Sequence, residues 1–228
     1  MQNNFWKNKK VLITGHTGFK GSWLSIWLNS MEAKVLGISI DVPSKPSHFK
    51  ATNLKSKIIS KKVDIRNLKQ TKKIIRSFKP DFIFHLAAQA LVNKSYNNPI
   101  YTWETNLMGT VNILESIRGL KKKCVTVLIT SDKSYKNLEI ERGYNENDIL
   151  GGSDQYSASK ASAELAIKSY IKSYFSKNNN KHIIGVARAG NVIGGGDWSE
   201  NRLIPDCTKS WLKNNKVNIR NPNSTRPW

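Results

Sequence analysis

The sequence predicts an α/β fold, a doubly wound parallel sheet with helices on both faces, and three observations carry that reading. Short apolar runs alternate with segments of helical periodicity along most of the 228 residues. A ladder of glycines, Gly15, Gly18 and Gly21, follows the first apolar run and opens the first helical segment. The second apolar run ends in an acid, Asp41, about 20 residues beyond the last of these glycines.

The elements follow in order. Val11-Leu12-Ile13 centres a strand over 10–14, and a helix follows over 19–31. Lys34 to Ile40 reads as the next strand, and a third is expected over 57–64. In the helix expected over 67–79, Leu68, Thr71, Ile75 and Phe78 recur at spacings of three and four, which turns one face to the sheet, and Pro80 ends it. Strand 81–86 precedes helix 99–119. Strand 124–131 leads through a long polar loop to helix 154–176 and strand 182–189. After Gly190 the chain turns glycine-rich at Gly194-Gly195-Gly196, leaving room for one helix over 202–214 and a short strand over 217–220. No closing element follows before Pro227-Trp228, which predicts a truncated chain. Residues 1–190 are expected to form a Rossmann-like dinucleotide-binding domain, and 191–228 only the start of a smaller C-terminal substrate-binding portion.

Composition bounds the function. With 39% hydrophobic and 23% charged residues, a folded soluble protein is expected. The net charge of +21 comes mostly from scattered lysines such as Lys55, Lys57, Lys61, Lys62, Lys72 and Lys73, with one run at Lys121-Lys122-Lys123. Arginine interleaved with aromatic residues is missing, which argues against nucleic acid, while the positive field would still favour an anionic substrate. Cys124 and Cys207 fit neither a metal-ligand spacing nor a disulfide scaffold, so no metal is expected. No apolar stretch suits a signal peptide or a membrane span, and a reducing cytoplasm is the default compartment.

The glycine ladder has a physical logic. Gly15 permits a tight turn, Gly18 lets the backbone approach a ligand, and Gly21 seats the helix against the strand, while the free N–H groups of that helix attract a diphosphate, which makes Gly15, Thr17, Gly18, Phe19, Lys20 and Gly21 candidate cofactor residues. A carboxylate at Asp41 would accept both adenosine ribose hydroxyls and repel a 2′-phosphate, which favours NAD over NADP. Downstream, Tyr156-Ser157-Ala158-Ser159-Lys160 places a phenol and an ammonium on one helix face, where the cation can lower the phenol's pKa for proton abstraction from a carbinol. Thr130-Ser131-Asp132-Lys133 lies at the carboxyl end of a strand, the end at which such sheets bind ligands. Read singly, the Tyr/Lys pair is a surface pair and the tetrapeptide an ordinary strand end; the glycine ladder upstream reverses both readings. His16 and His85 lack a carboxylate partner in the pattern and are expected to be structural.

Together, Gly15 to Gly21, Asp64-Ile65, His85-Leu86-Ala87-Ala88, Ser131, Tyr156 and Lys160 resemble the extended short-chain dehydrogenase/reductases that act on nucleotide sugars. Gly15 to Leu24, Thr130 to Lys133, Ala187 to Trp198 and Arg220 to Trp228 are similar to the CDP-glucose 4,6-dehydratase branch. The resemblance implies C4 oxidation by Tyr156 with Lys160 and Ser131, loss of C5–H and the C6 hydroxyl, and return of the hydride from the catalytic NAD to C6. It also implies Asp132 as acid and Lys133 as base, a role that needs the neutral amine. By the same resemblance Asp64 and Ile65 serve adenine, and Leu86, Ala87, Ala88 and Thr105 lie near the cofactor's pyrophosphate and ribose. Asn191, Arg202 and Arg226 serve the substrate's nucleotide part, and helices like 99–119 and 154–176 pair into a homodimer. Two other functions remain open at this stage. A nucleotide-sugar 4-epimerase would use Tyr156 and Lys160 without the acid and base, and a basic dinucleotide-fold module would bind RNA or a protein and no NAD.

Overall fold

The computed structural model describes residues 4–176 and 182–224. Six parallel strands form one sheet in the order β3-β2-β1-β4-β5-β6. They are β1 (Lys10–Thr14), β2 (Lys34–Ser39), β3 (Ile59–Lys62), β4 (Phe82–His85), β5 (Val125–Ile129) and β6 (Ile183–Ala187). The order reverses between β1 and β4, so a crevice opens beyond their carboxyl ends. Register aligns Leu12 with Leu36 on one side and with Ile83 on the other.

Alternation along the strands separates two apolar layers. Leu12, Leu36, Ile38, Ile83 and Leu128 join Ile75, Ile113, Leu114, Ile117 and Ile167 from the helices in one core. Val11, Ile13 and Val35 face the other way, against Leu28, with Trp6 and Phe84 packed alongside. The helices are α1 (Phe19–Ser30), α2 (His48–Ala51), α3 (Leu68–Phe78), α4 (Val92–Asn97), α5 (Pro99–Trp103), α6 (Gly109–Arg118), α7 (Gln155–Tyr170) and α8 (Leu203–Trp211). Local chemistry fixes their starts. Asn67 Oδ1 accepts from the Gln70 amide at 3.0 Å, and Asp154 accepts from both the amide and the hydroxyl of Ser157, at 3.0 and 2.6 Å.

The structure departs from the sequence expectations in five places. The helix expected over 99–119 is α5 and α6 joined by a wide π turn, Glu104–Met108, and helix 154–176 ends in another, Ile171–Phe175. The short helices α2 and α4 lie where the sequence reading placed no element, being too brief for an apolar period to register. Residues 217–220 form no strand. Their alternation suits one, but a strand exists only as part of a ladder, and none of the described residues pairs with them.

Candidate active site

The glycine loop joins β1 to α1 at the crevice. Gly15 adopts φ +75°, and a Cβ there would lie 2.8 Å from the Ala87 nitrogen. A Cβ on Gly21 would come within 2.1 Å of the Gly15 carbonyl oxygen. Both positions therefore require glycine, the first for its left-handed turn and the second for contact between helix and loop. Gly18 caps α1 without a side-chain bond, which leaves the amides of the first turn open to a ligand. Thr17 Oγ1 donates to the Asp41 carbonyl at 2.5 Å and fixes the end of β2 to the loop. Exposed Asp41 borders a recess of about 430 Å³ with His16, Thr17, Ser39, Phe49 and Lys61 in its wall.

Both predicted structural histidines have hydroxyl partners. His85 lies between Thr14 Oγ1 at 2.8 Å and Thr110 Oγ1 at 3.2 Å, and complete burial lowers its pKa to about 3, so the ring is neutral. His16 bridges Ser39 and Ser60 at 3.0 and 2.7 Å. The same Thr14 hydroxyl accepts from the Ala87 amide at 3.0 Å, which brings Leu86, Ala87 and Ala88 alongside the glycine loop.

Ser131, Asp132, Tyr156, Lys160, Lys20 and Arg202 converge at the ends of β1, β5 and α7. Ser131 Oγ donates to Asp132 Oδ1 at 3.0 Å and accepts from the Lys133 amide at 3.2 Å. The Tyr156 phenol is buried beside Ser131. Burial pushes its pKa up against the opposing hydrogen bond from Ser131, with Asp132 adding to the rise. The sequence predicts a phenol lowered by Lys160; instead burial raises it, and the cation that opposes the rise is Arg202, which the linear spacing of the two residues does not encode. Lys160 is pushed down to about 8, by burial and then by the neighbouring Lys20 cation, while Glu164 acts the other way. Lys20 is lowered by burial and then by Arg202, with Asp132 opposing. Arg202 itself is anchored on the Asp197 carboxylate at 2.9 Å.

The model of the GDP-mannose 4,6 dehydratase family matches residues 12–184 of this sequence. The chain belongs to that family. It is 49% identical to the CDP-glucose 4,6-dehydratase of Salmonella typhimurium, over all of this chain and 64% of the relative. It is 30% identical to the dTDP-D-glucose 4,6-dehydratase of Dictyostelium discoideum, covering 92% of this chain and 50% of that one. The chain thus spans between half and 64% of the length of these two relatives. Among solved structures, the UDP-glucose 4-epimerase of Thermus thermophilus in complex with NAD superposes with a TM-score of 0.70 at 28% identity, over 84% of this chain and 58% of that one. The UDP-glucose 4-epimerase of Thermotoga maritima shares the fold at a TM-score of 0.81 and 22% identity, over 93% of this chain and 66% of its own.

Other predicted positions have partners or surroundings of their own, or lie outside the described residues. Asp64 is held by Arg66 through a 2.7 Å ion pair, which lowers its pKa, and Ile65 is buried. Asn191 is exposed beyond β6, and Arg226 lies outside the described residues. The loop after Asn191 docks on α1, where Trp23 Nε1 donates to the Gly195 carbonyl at 2.9 Å and the Trp23 ring stacks on His48.

Two buried networks escaped the sequence reading. Asn106, inside the first π turn, donates to Ser159 Oγ at 2.9 Å and to the Gln89 carbonyl at 3.1 Å, and accepts from the Gln89 amide at 2.8 Å. This ties the loop after β4 to α7. Beneath the Ser131 turn, Glu164 and Arg188 form an ion pair with side-chain exposures of 2% and 12%. The one sequence signal was Glu164 lying four residues beyond Lys160, on the same helix face.

Proposed function

We propose that this chain carries the NAD-binding and catalytic portion of a nucleotide-sugar 4,6-dehydratase that converts CDP-glucose to CDP-4-keto-6-deoxyglucose. The observation that carries the reading is the Asp132-Lys133 pair directly after Ser131 at the end of β5, with Asp132 close enough to Tyr156 to act on the phenol. The 49% identity to a CDP-glucose 4,6-dehydratase favours the same reaction. Residues 1–190 would form the dinucleotide domain and 191–228 begin the sugar-nucleotide portion, where Asn191, Arg202 and Arg226 meet the substrate.

The residues present fit a dinucleotide. The glycine loop is a cradle that a Cβ would fill, and the Thr105 hydroxyl is buried without a hydrogen-bond partner among the described residues. Gly15, Thr17, Gly18, Phe19, Lys20 and Gly21 would hold the diphosphate, Asp41 the adenosine ribose, and Asp64 and Ile65 the adenine. Leu86, Ala87, Ala88 and Thr105 would line the middle, with Tyr156 and Lys160 at the reactive end. Bound NAD supplies the oxidant for C4 and, later, the reductant for C6.

The chain's own residues manage the protons. Tyr156 takes the proton of the C4 hydroxyl, with Ser131 bonded to the phenol and the Lys160 cation favouring the phenolate. The C4 ketone acidifies C5–H, whose proton passes to the Lys133 amine as the C5–C6 double bond forms. Asp132 gives its proton to the C6 hydroxyl, which leaves as water. An acid and a base in adjacent positions of one turn suit that elimination and are superfluous for epimerisation.

Exposed Ile100, Met108 and Leu165 lie on α5, the first π turn and α7, and this apolar face supports a homodimer through those helices. No helix among the described residues is long and apolar enough to cross a membrane, which accords with a cytoplasmic enzyme. Incubating full-length protein with CDP-glucose tests the assignment. A 4-keto-6-deoxy product is expected, and CDP-galactose as the only product refutes it. Lys133→Ala is expected to abolish that product while C4 oxidation persists.

A further inference from the structure

We propose that Glu164 and Arg188 are positioning residues for the elimination step, their ion pair fixing the turn that presents Asp132 and Lys133. The inference rests on the dehydratase reading above. Glu164 Oε1 accepts from Thr130 Oγ1 at 2.7 Å and lies 2.9 Å from Ser134 Oγ. Thr130 and Ser134 bracket Ser131, Asp132 and Lys133, so one carboxylate oxygen grips both ends of the reactive segment. Arg188 donates from Nε to both carboxylate oxygens at 2.8 and 2.9 Å and from Nη2 to Oε2 at 2.5 Å. Its guanidinium also lies 4.5 Å from the centre of the Tyr135 ring, and the Ala189 carbonyl beside it accepts from the Asp132 amide at 3.2 Å. A single ion pair therefore joins the end of β5, the turn, α7 and the end of β6.

Stability alone is a poor account of this pair. Two buried charges lose hydration that their attraction barely repays, and a well-packed apolar pair would serve as well. Arg188 Nη1 is moreover buried without a partner among the described residues, a loss that a purely stabilising device would avoid. What an apolar pair lacks is direction: the bidentate fork sets the carboxylate plane, and that plane sets the Thr130 and Ser134 hydroxyls. The oxidation step feels the pair too, through Ser131 in the same turn and through the Glu164 carboxylate that supports the Lys160 cation, but the elimination takes both of its groups from the turn and is affected most.

Full-length protein and its Glu164→Gln and Arg188→Lys variants, loaded with NAD and mixed once with CDP-glucose, separate the steps. Reduced-nicotinamide absorbance is expected to rise somewhat more slowly than in the parent and to decay about 10–100-fold more slowly, since misplacement by roughly 1 Å costs that much. Hydrogen exchange of the amides over 130–136 is expected to quicken while that over 15–22 stays unchanged. Ser134→Ala, which keeps the ion pair, is expected to show the same pattern more weakly and keeps the test open if a charge variant does not fold. Equal slowing of rise and decay, or unchanged exchange over 130–136, overturns the positioning role. A parent protein inert towards CDP-glucose sinks the dehydratase reading instead, and the exchange measurement still decides whether the pair holds the turn.

Discussion

Replacing Gly21 by alanine tests the glycine loop most directly. The added Cβ would stand 2.1 Å from the Gly15 carbonyl oxygen, 2.8 Å from its carbon and 2.9 Å from the His16 Cα. Every one of these atoms is backbone, so no side chain can swing aside. An ordinary carbon–oxygen approach is about 3.3–3.6 Å, so loop and helix must part by roughly 1 Å. Overpacking of this kind costs about 1–3 kcal/mol, of which the helix preference of alanine over glycine returns about 0.5–1 kcal/mol. The net loss of about 0–2.5 kcal/mol lowers the melting temperature by roughly 2–4 °C per kcal/mol in a chain of this size. If the displacement also withdraws the loop amides from the diphosphate, 1–3 kcal/mol of lost binding weakens NAD by about 5–150-fold. Calorimetric titration with NAD and a thermal melt measure both effects. Gly143→Ala is the matched control, because no atom lies within 4 Å of its added methyl, and it should stay within about 0.5 kcal/mol of the parent. A Gly21→Ala protein that binds NAD as tightly as the parent and melts with it would refute the reasoning.

Further outcomes follow from the same structure. Lys160, lowered to about 8, is cationic below that pH and supports the Tyr156 phenolate only while charged, so kcat/KM is expected to fall as pH rises through about 8; a flat profile to higher pH contradicts it. Burial raises the Glu164 carboxyl, but hydrogen bonds from Arg188, Thr130 and Ser134 outweigh it and hold the group below 4.5. A depressed carboxyl contributes stability that is whole above its unfolded value and lost as pH falls through the folded one. Acid melts of the parent should therefore drop over that window more steeply than those of Glu164→Gln. Leu165→Arg sets a charge on the exposed side of α7, and if the proposed homodimer forms through this helix, sedimentation should find the variant monomeric at concentrations where the parent associates; unchanged association refutes that interface.

Much of the fold was legible because its determinants are local. The apolar runs of β1, β4 and β5 and the three-and-four spacing of α3 report burial through period alone. Helices α2 and α4 were not legible, being too short to show a period, and Val217 to Arg220 showed the period without the partner a strand needs. In the cleft, Tyr156 and Lys160 could be read from their spacing, and Ser131 and Asp132 from their place at a strand end. Gln89, Asn106, Glu164 and Arg188 could not, since a lone amide or charge in a sequence carries no mark of what will surround it.

By itself the sequence determined the parallel sheet, the loop of glycines and the shared face of phenol and ammonium, because steric need and helical or strand period are properties of neighbours along the chain. Only the tertiary structure decided that Lys20 from α1, Ser131 from the end of β5, Lys160 from α7 and Arg202 from the segment after β6 meet in one place. It likewise decided that burial raises the phenol at 156 and lowers the ammonium at 160. The physical reason is that desolvation and charge–charge coupling depend on which strands lie side by side and what covers them. Those distances come from the order of crossovers in the sheet and cannot be counted in residues.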